Sequence, residues 1–176
     1  MDLPSRPPDD AQLWDEWSQT HAAAVRGFVM AMVRRPDLAD DLVQEVFCRA
    51  WQARGRYREE GTARAYLLRI ADRLVCDRAR RSGREVNLDA ESWRRIEPVQ
   101  RQGEPADGLV QEETFRQLAA ALDSLSPPQR RVLLLRYYGE LSFAQIAGIL
   151  KCPLSTALSH AHRGLTALRR LLVKSD

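Results

Sequence analysis

The sequence predicts an all-α protein in which a flexible linker joins two small helical domains. Apolar residues recur at helical spacing within 11–82 and again within 109–173. Between these stretches, residues 83–108 lack periodicity and read as the linker. The helix breakers of the linker are Gly83, Pro98, Gly103, Pro105 and Gly108. At the C-terminal end, two short helical patterns joined by a tight turn indicate a helix-turn-helix.

Three helices are predicted in the first domain. The first starts near Ala11 and ends at Arg34-Arg35-Pro36, because proline cannot continue a helix. The second begins after Pro36 with Asp37 as its cap, and the third follows Thr62. Their apolar positions include Trp14, Trp17, Phe28, Val29, Leu42, Val46, Phe47, Leu67, Ala71 and Leu74. These side chains are expected to form one core.

Serine caps predict the helix starts of the second domain. Ser126 precedes Pro127, which is favourable at the first helical position, and this helix stops at Gly139. Ser142 and Gln145 form a capping box for the next helix. Ser155 is the predicted cap of the last helix. The positions of that helix expected to face the core are Ala157, Ala161, Leu165 and Leu168.

Charge is distributed in blocks along the chain, although the total is only +3. Residues 53–84 carry ten basic and four acidic side chains, and residues 126–176 carry eight and two, so each block has a net charge of +6. The intervening residues 85–125 have a net charge of −5. Two basic blocks separated by an acidic one favour two nucleic-acid contacts, although solvated helix faces give similar blocks by chance.

Several function classes are disfavoured by composition. The N-terminus lacks the order of a signal peptide, and no apolar run is long enough to cross a bilayer, so the protein is expected in the cytoplasm without membrane insertion. Cys48, Cys76 and Cys152 are odd in number and widely spaced, so each is predicted to be a small buried side chain rather than a metal ligand. We expect no metal, no cofactor and no small-molecule substrate.

Acidic and amide side chains crowd the first half of the second predicted helix. They are Asp40, Asp41, Gln44 and Glu45. Carboxylates there are favourable with the helix dipole, which is a structural explanation for them. Paired carboxylates can also serve acid–base catalysis, but no histidine, nucleophile or metal ligand accompanies these, so an enzyme is not expected.

The residues from Asp40 to Trp51 resemble the second conserved region of bacterial sigma factors, in the extracytoplasmic-function group that keeps two of the family's domains. The stretch from Arg64 to Ala71, followed by Arg80-Arg81, continues the resemblance. Leu125-Ser126-Pro127-Pro128-Gln129-Arg130 and the helix-turn-helix behind it resemble the fourth region. The resemblance implies a protein that directs core RNA polymerase to promoter DNA and helps to open it. Asp40, Asp41, Gln44 and Glu45 would then dock on the largest polymerase subunit.

The resemblance also implies a contact with the downstream, minus-ten promoter element. This contact would use the loop at 54–62 and the third helix. An aromatic residue beside aligned arginines is typical of single-strand binding. The residues assigned to this contact are Arg54, Arg56, Tyr57, Arg69, Arg73 and Arg80. The chain departs from the family at Asp72 and Arg73, where arginine and asparagine are frequent.

The last helix would read the upstream, minus-thirty-five element in the major groove. The residues assigned to this contact are Ser155, Thr156, Leu158, Ser159, His160 and Arg163. Leu158 can touch a thymine methyl, and protonated His160 can donate to phosphate. The family often has lysine or arginine at these two positions, so the sequence does not specify the upstream target.

Two other functions stay open at this point. An autonomous helix-turn-helix regulator explains the second domain but gives the Asp40–Glu45 face no purpose. A sigma mimic that sequesters a regulatory protein tolerates weak DNA-binding residues such as Leu158 and His160. The resemblance also implies an anti-sigma partner, whose identity, like the inducing signal and the promoter consensus, is not readable from one sequence.

Overall fold

A computed structural model describes residues 10–54, 62–82 and 117–173, with the side chains of 10–13 left out. Every regular element in these ranges is a helix, as predicted. Three helices form the first domain: α1 (Asp10–Val33), α2 (Pro36–Gln52) and α3 (Ala63–Ser82). The second domain contains α4, described over 117–123, then α5 (Pro127–Tyr137), α6 (Phe143–Leu150) and α7 (Leu154–Val173). The predicted linker, 83–108, lies outside the described residues.

Aromatic contacts join α1 to α2 and α3. The Trp14 ring meets Phe47 and Trp51 edge-on, with centroids 5.5 and 5.3 Å apart. Trp17 packs against Tyr66 of α3 at 6.0 Å. Edge-to-face pairs add to the burial of apolar area, so these rings fix the three helices against one another. The exposed side of α2 is thereby held in a defined orientation.

The start of α2 differs from its predicted cap. Pro36 is the first helical residue, so Arg35, not Asp37, occupies the cap position. Arg34 has a φ of 56° and ends α1, because a left-handed residue cannot continue the helix. Asp37 lies in the first turn and accepts a 2.6 Å hydrogen bond from Arg35. The fixed φ of proline decided the boundary here.

The capping box predicted for α6 is confirmed. Ser142 Oγ accepts a hydrogen bond from Gln145 N at 3.3 Å, and Gln145 Oε1 accepts one from Ser142 N at 2.9 Å. Ser126 precedes α5 as predicted. The predicted cap of α7 is wrong, because that helix already begins at Leu154 and Pro153 O accepts from Thr156 N and Ala157 N.

The side of α7 that packs against α5 is only partly the predicted one. Ala157 and Ala161 are buried as expected, but Leu165 is 43% exposed. Gly164 is buried in its place, and a Cβ there would lie 2.9 Å from Leu133 Cδ1. At about 100° per residue, Leu165 is turned away from a contact centred on Gly164. The small residues of α7 therefore set how closely it approaches α5.

The two domains lie against each other, and a single apolar core runs through both of them. The ring of Tyr138 covers the backbone of α1 at Gly27, where an added Cβ would lie 2.7 Å from Tyr138 Cδ1. A Cβ added to Gly139, just after α5, would lie 2.6 Å from Leu68 Cδ1 of α3. Contacts of this kind leave no room for a side chain at either glycine.

Candidate functional site

The polar face of α2 is exposed because its other face is anchored in the core. All four predicted docking residues, Asp40, Asp41, Gln44 and Glu45, lie on the exposed face. The buried residues of α2 are Ala39, Leu42, Val46, Phe47 and Ala50. A helix held in this way presents its polar side chains at fixed spacing, which a partner surface requires.

Two of the carboxylates on α2 are paired with arginines of the same domain. Arg26 Nε donates to Asp40 at 3.1 Å, and Arg49 Nε donates to Glu45 at 2.6 Å. At about 100° per residue, Gln44 and Asp41 lie between these pairs around the helix. Exposed pairs of this kind contribute little to stability, so the face remains available for a partner.

Cys48 shares this face, which corrects the prediction that all three cysteines are buried. Cys48 is exposed, while Cys76 and Cys152 are only partly buried. The helical repeat explains the error at Cys48, which follows Asp41 by seven residues and Gln44 by four. The polar stripe therefore continues through a residue type that is usually apolar.

The arginines of α3 form a second exposed stripe. Arg69, Arg73 and Arg80 are all exposed and fall within about 40° of one another around the helix. Arg80 is paired with Asp77 on the same helix. A stripe of this kind can follow a phosphate backbone without burying charge.

Arg54 lies at the end of α2 rather than free in the loop. Its guanidinium carbon is 4.0 Å from the centroid of the Trp51 ring, and its Nη1 donates to Trp51 O at 3.0 Å. The cation–π contact orients Arg54 just after the end of α2. Arg56 and Tyr57, the other predicted loop contacts, lie outside the described residues.

Asp72, one of the two positions at which the sequence departs from the resemblance, is buried and does not belong to the arginine stripe. It is 4% exposed and accepts hydrogen bonds from Arg131 Nε at 2.8 Å and Arg131 Nη2 at 2.5 Å. Burial alone would lower the pKa of Arg131, but the hydrogen bonds and charge of Asp72 raise it above its usual value. Asp72 thus binds the second domain of its own chain.

The third exposed face belongs to α7. Ser155, Leu158, Ser159 and Arg163 are exposed, whereas Thr156 and His160 are partly buried. The Nδ1 atom of His160 is buried and has no hydrogen-bond partner within the described residues. A shallow groove on the exposed face is lined by Leu158, Ser159, His162 and Arg163.

Sequence reasoning missed His162 in this groove. It follows Leu158 by four residues and Ser159 by three, the spacing that places side chains on one face of a helix. His160, which was assigned to this face, lies about 160° from His162 around the axis. Which of the two histidines is exposed depends on which side of α7 packs against α5.

Not all of the basic surplus in the second domain reaches the surface. Arg130 is buried and pairs with Asp123 at 3.3 Å, and Arg131 is partly buried and pairs with Asp72. Arg136 is exposed and donates to Leu141 O at 2.9 Å. Burial lowers the pKa of Arg130. The exposed cations that remain near or on α7 are Lys151, Arg163, Arg169 and Arg170.

No helix in the described ranges is long and apolar enough to cross a membrane. No group of three or more histidine, cysteine, aspartate or glutamate side chains among the same residues is placed to hold a metal ion.

Comparison with known proteins gives the family. Sigma-70 region 2 matches residues 18–85, and Sigma-70 region 4 matches residues 115–168. The chain is 32% identical over 168 residues to the ECF RNA polymerase sigma factor SigK of Mycolicibacterium vanbaalenii, covering 93% of this chain and 83% of that protein. It is 30% identical over 145 residues to the ECF RNA polymerase sigma factor SigX of Bacillus subtilis, covering 81% and 75% respectively.

A solved structure shares the fold. It is the sigma factor RpoE in complex with the anti-sigma factor NepR from Bartonella quintana, with a TM-score of 0.70 and 23% identity. The likeness covers 92% of this chain and 97% of that one. On the sequence matches above, the chain belongs to the extracytoplasmic-function group of RNA polymerase sigma factors.

Proposed function

We propose that this sigma factor divides its work among three helix faces. The acidic face of α2, formed by Asp40, Asp41, Gln44 and Glu45, binds core RNA polymerase. The arginine stripe of α3 contacts the downstream promoter element, and the exposed face of α7 reads the upstream element. The observation that carries this assignment is that α2, α3 and α7 each bury an apolar side and expose a polar side of distinct chemistry.

The charge of the α2 face favours a protein partner over DNA. Asp40, Asp41 and Glu45 would repel a phosphate backbone, and the partner surface is therefore expected to be basic. The pairs with Arg26 and Arg49 flank the face and can exchange for arginine or lysine of the polymerase. Gln44 supplies both a donor and an acceptor at the centre of the face.

The stripe on α3 suits DNA strands that are being separated. Arg69 and Arg73 are exposed and one turn apart, a spacing that supports contacts to successive phosphates. Arg54, stacked on Trp51 just after α2, can add a cation beside unstacked bases. We propose that these residues stabilise the opened downstream element.

The face of α7 combines groups that read base edges with groups that bind phosphate. Ser155 and Ser159 can donate or accept, Leu158 can contact a thymine methyl, and Arg163 can pair with guanine or with phosphate. We add His162 to this set because it lines the same groove. Thr156 and His160 lie at the edge of the contact and are proposed to contribute less.

The protein is proposed to act by binding alone, without catalysis or a cofactor, in the cytoplasm where the polymerase works. An anti-sigma partner is proposed as well. Support for that partner comes from RpoE, a protein of the same fold that was solved in complex with the anti-sigma factor NepR. Residues 83–108 are proposed as the linker between domains at 11–82 and 109–173.

A double substitution on α2 tests the docking face. Asp41→Arg with Gln44→Ala should weaken binding to bacterial core polymerase at least about tenfold, because a reversed charge meets the same basic surface. Binding is measured by fluorescence anisotropy, and circular dichroism checks the fold. The matched control is Glu16→Arg with Gln19→Ala, the same change at the same spacing on an exposed part of α1.

The exposed thiol of Cys48 gives an independent readout on the unmodified face. Core polymerase should slow the alkylation of Cys48, which lies beside Gln44, more than that of the partly buried Cys76 and Cys152. Equal affinity of the two double variants, or unaltered alkylation of Cys48 in the complex, contradicts docking through α2.

A further inference from the structure

The exposed side of α7 carries leucines along one edge. Leu154, Leu158 and Leu165 are 48%, 44% and 43% exposed. At about 100° per residue, they fall within about 40° of one another around the helix axis. The core contact of α7 is made by its small buried residues instead. The three leucines therefore form an apolar edge that stays open to solvent in the described part of the chain, and aligned apolar side chains of this kind mark an interaction surface.

Backbone hydrogen bonds fix where this edge begins. Pro153 O accepts from Thr156 N and Ala157 N, and α7 starts at Leu154. Leu154 is thus the first residue of the helix, and Leu158 follows it by four positions. In a helix-turn-helix, the first residues of the recognition helix are the ones that reach base edges. Both leucines are among these residues.

Groups that suit DNA lie directly beside the apolar edge. Around the helix axis, the exposed residues after Leu158 are His162, Ser159 and Arg163, and all four line the same shallow groove. The face therefore changes from apolar through polar to cationic within about 140°. The major groove presents methyl groups, polar base edges and flanking phosphates side by side, so it complements this whole face. A protein partner for the leucines alone would not account for the polar and cationic part.

The spacing of the first two leucines fits the spacing of base pairs. The apolar group that the major groove presents is the 5-methyl group of thymine. Side chains four residues apart on a helix are about 5–6 Å from each other. Successive base pairs rise by about 3.4 Å, so this separation corresponds to roughly two base pairs. Leu154 and Leu158 can therefore contact two methyl groups at the same time.

We propose that Leu154 and Leu158 together determine specificity, by selecting upstream elements with two thymine methyl groups about two base pairs apart. The inference rests on the proposed function, because it requires that α7 reads the upstream element. It adds Leu154 to the reading face and gives the target a defined spacing. Leu165 is not part of the contact, because it lies about 16 Å along the axis from Leu154. That distance exceeds the width of the major groove, about 12 Å.

Deoxyuridine in place of thymidine tests the contact, because the two differ only by the methyl group. The holoenzyme, formed from the full chain and bacterial core polymerase, first selects binding sites from promoter fragments randomised in the upstream region. We expect the selected element to contain thymines about two base pairs apart. Deoxyuridine at either thymine should then weaken binding roughly fourfold, from about 0.8 kcal/mol for each buried methyl group. Competition binding against the unmodified fragment measures the loss.

Leucine variants connect each methyl group to one side chain. Leu154→Ala should remove most of the loss caused by deoxyuridine at one thymine, and Leu158→Ala at the other, as a double-mutant cycle requires for groups in contact. The matched control is Leu165→Ala, which makes the same change at similar exposure on the same edge. It should keep the full loss at both thymines. Circular dichroism checks that each variant is folded.

Equal binding of thymidine and deoxyuridine fragments by the wild-type holoenzyme overturns the inference, and so does a selected element without thymines at this spacing. Leucines that serve a protein partner instead would give this same insensitivity to the methyl groups. Arg163→Ala separates the two proposals, because weaker binding of that variant to the selected element would leave the reading of DNA by α7 intact. Selection of no upstream sequence at all would overturn the assignment of α7 and this inference with it.

Discussion

The arginines of α3 and those of α5 have opposite surroundings. Arg69 and Arg73 extend into solvent from α3, whereas Arg130 and Arg131 of α5 are largely buried and paired with Asp123 and Asp72. Both helices belong to basic blocks of equal net charge. The difference shows that a count of charges does not tell which arginines are available to DNA.

The cause of this difference is the packing around each helix. α3 faces solvent along the arginine stripe, while α5 is enclosed by α7 on one side and by the first domain on another. An enclosed arginine needs a partner of opposite charge, and Arg130 and Arg131 have Asp123 and Asp72 respectively. Arg130 and Arg131 therefore belong to the structure of the protein, whereas Arg69 and Arg73 are the arginines proposed for the promoter.

Loss of the shared carboxylate should have the largest effect on stability. Asp123→Asn removes the carboxylate with which the buried Arg34 and Arg130 both pair, and we expect the free energy of unfolding to fall by about 2–3 kcal/mol. Urea denaturation followed by circular dichroism measures it. Asp77→Asn serves as the control and should stay within about 0.5 kcal/mol of wild type. Equal free energies of unfolding for the two variants would contradict the expectation that enclosed ion pairs contribute more to stability than exposed ones.

Two glycine substitutions are expected to change stability in opposite directions, and together they test how tightly α7 packs on α5. Gly164→Ala pushes a methyl group toward Leu133 and should destabilise the protein by about 1 kcal/mol, even after the gain in helix propensity. Gly148→Ala, in open space on α6, should stabilise it by about 0.5–1 kcal/mol. Both are measured by urea denaturation. A stabilising Gly164→Ala would mean that α7 does not pack tightly on α5.

The smallest effect on stability is expected from the exposed arginines. Arg69→Ala with Arg73→Ala should change the free energy of unfolding by less than about 0.5 kcal/mol. In the holoenzyme, the same variant should reduce the slope of log K against log salt for a single-stranded downstream element by about 1.4, for two lost phosphate contacts. Filter binding over a salt series measures the slope, which should stay unchanged if these arginines are structural.

Residues close together in the sequence were sufficient to predict much of the fold. Pro127, Ser142 and Gln145 predicted the starts of α5 and α6, because capping depends on residues within one turn. Capping residues alone did not predict the starts of α2 and α7. There, Pro36 and Pro153 shifted the helix starts away from Asp37 and Ser155.

Long-range packing explains what the sequence did not predict. The exposure of Leu165 and His162 follows from the contact of Gly164 with α5, which no pattern within α7 specifies. The pairing of Asp72 with Arg131 joins residues 59 positions apart. The predicted docking and DNA-binding residues came largely from family resemblance, and the structure adds which of them are exposed.

In vitro transcription shows directly whether this protein directs core polymerase to promoters. Purified bacterial core polymerase is supplied with a pool of genomic promoter fragments, with and without the protein. We predict transcripts from defined start sites only when the protein is present, and at least about tenfold fewer with Arg69→Ala and Arg73→Ala, because charged hydrogen bonds to phosphate are lost. Tight polymerase binding without defined transcripts would contradict the account and indicate a sigma mimic. Sequence-specific DNA binding without any affinity for polymerase would contradict it in favour of an autonomous regulator.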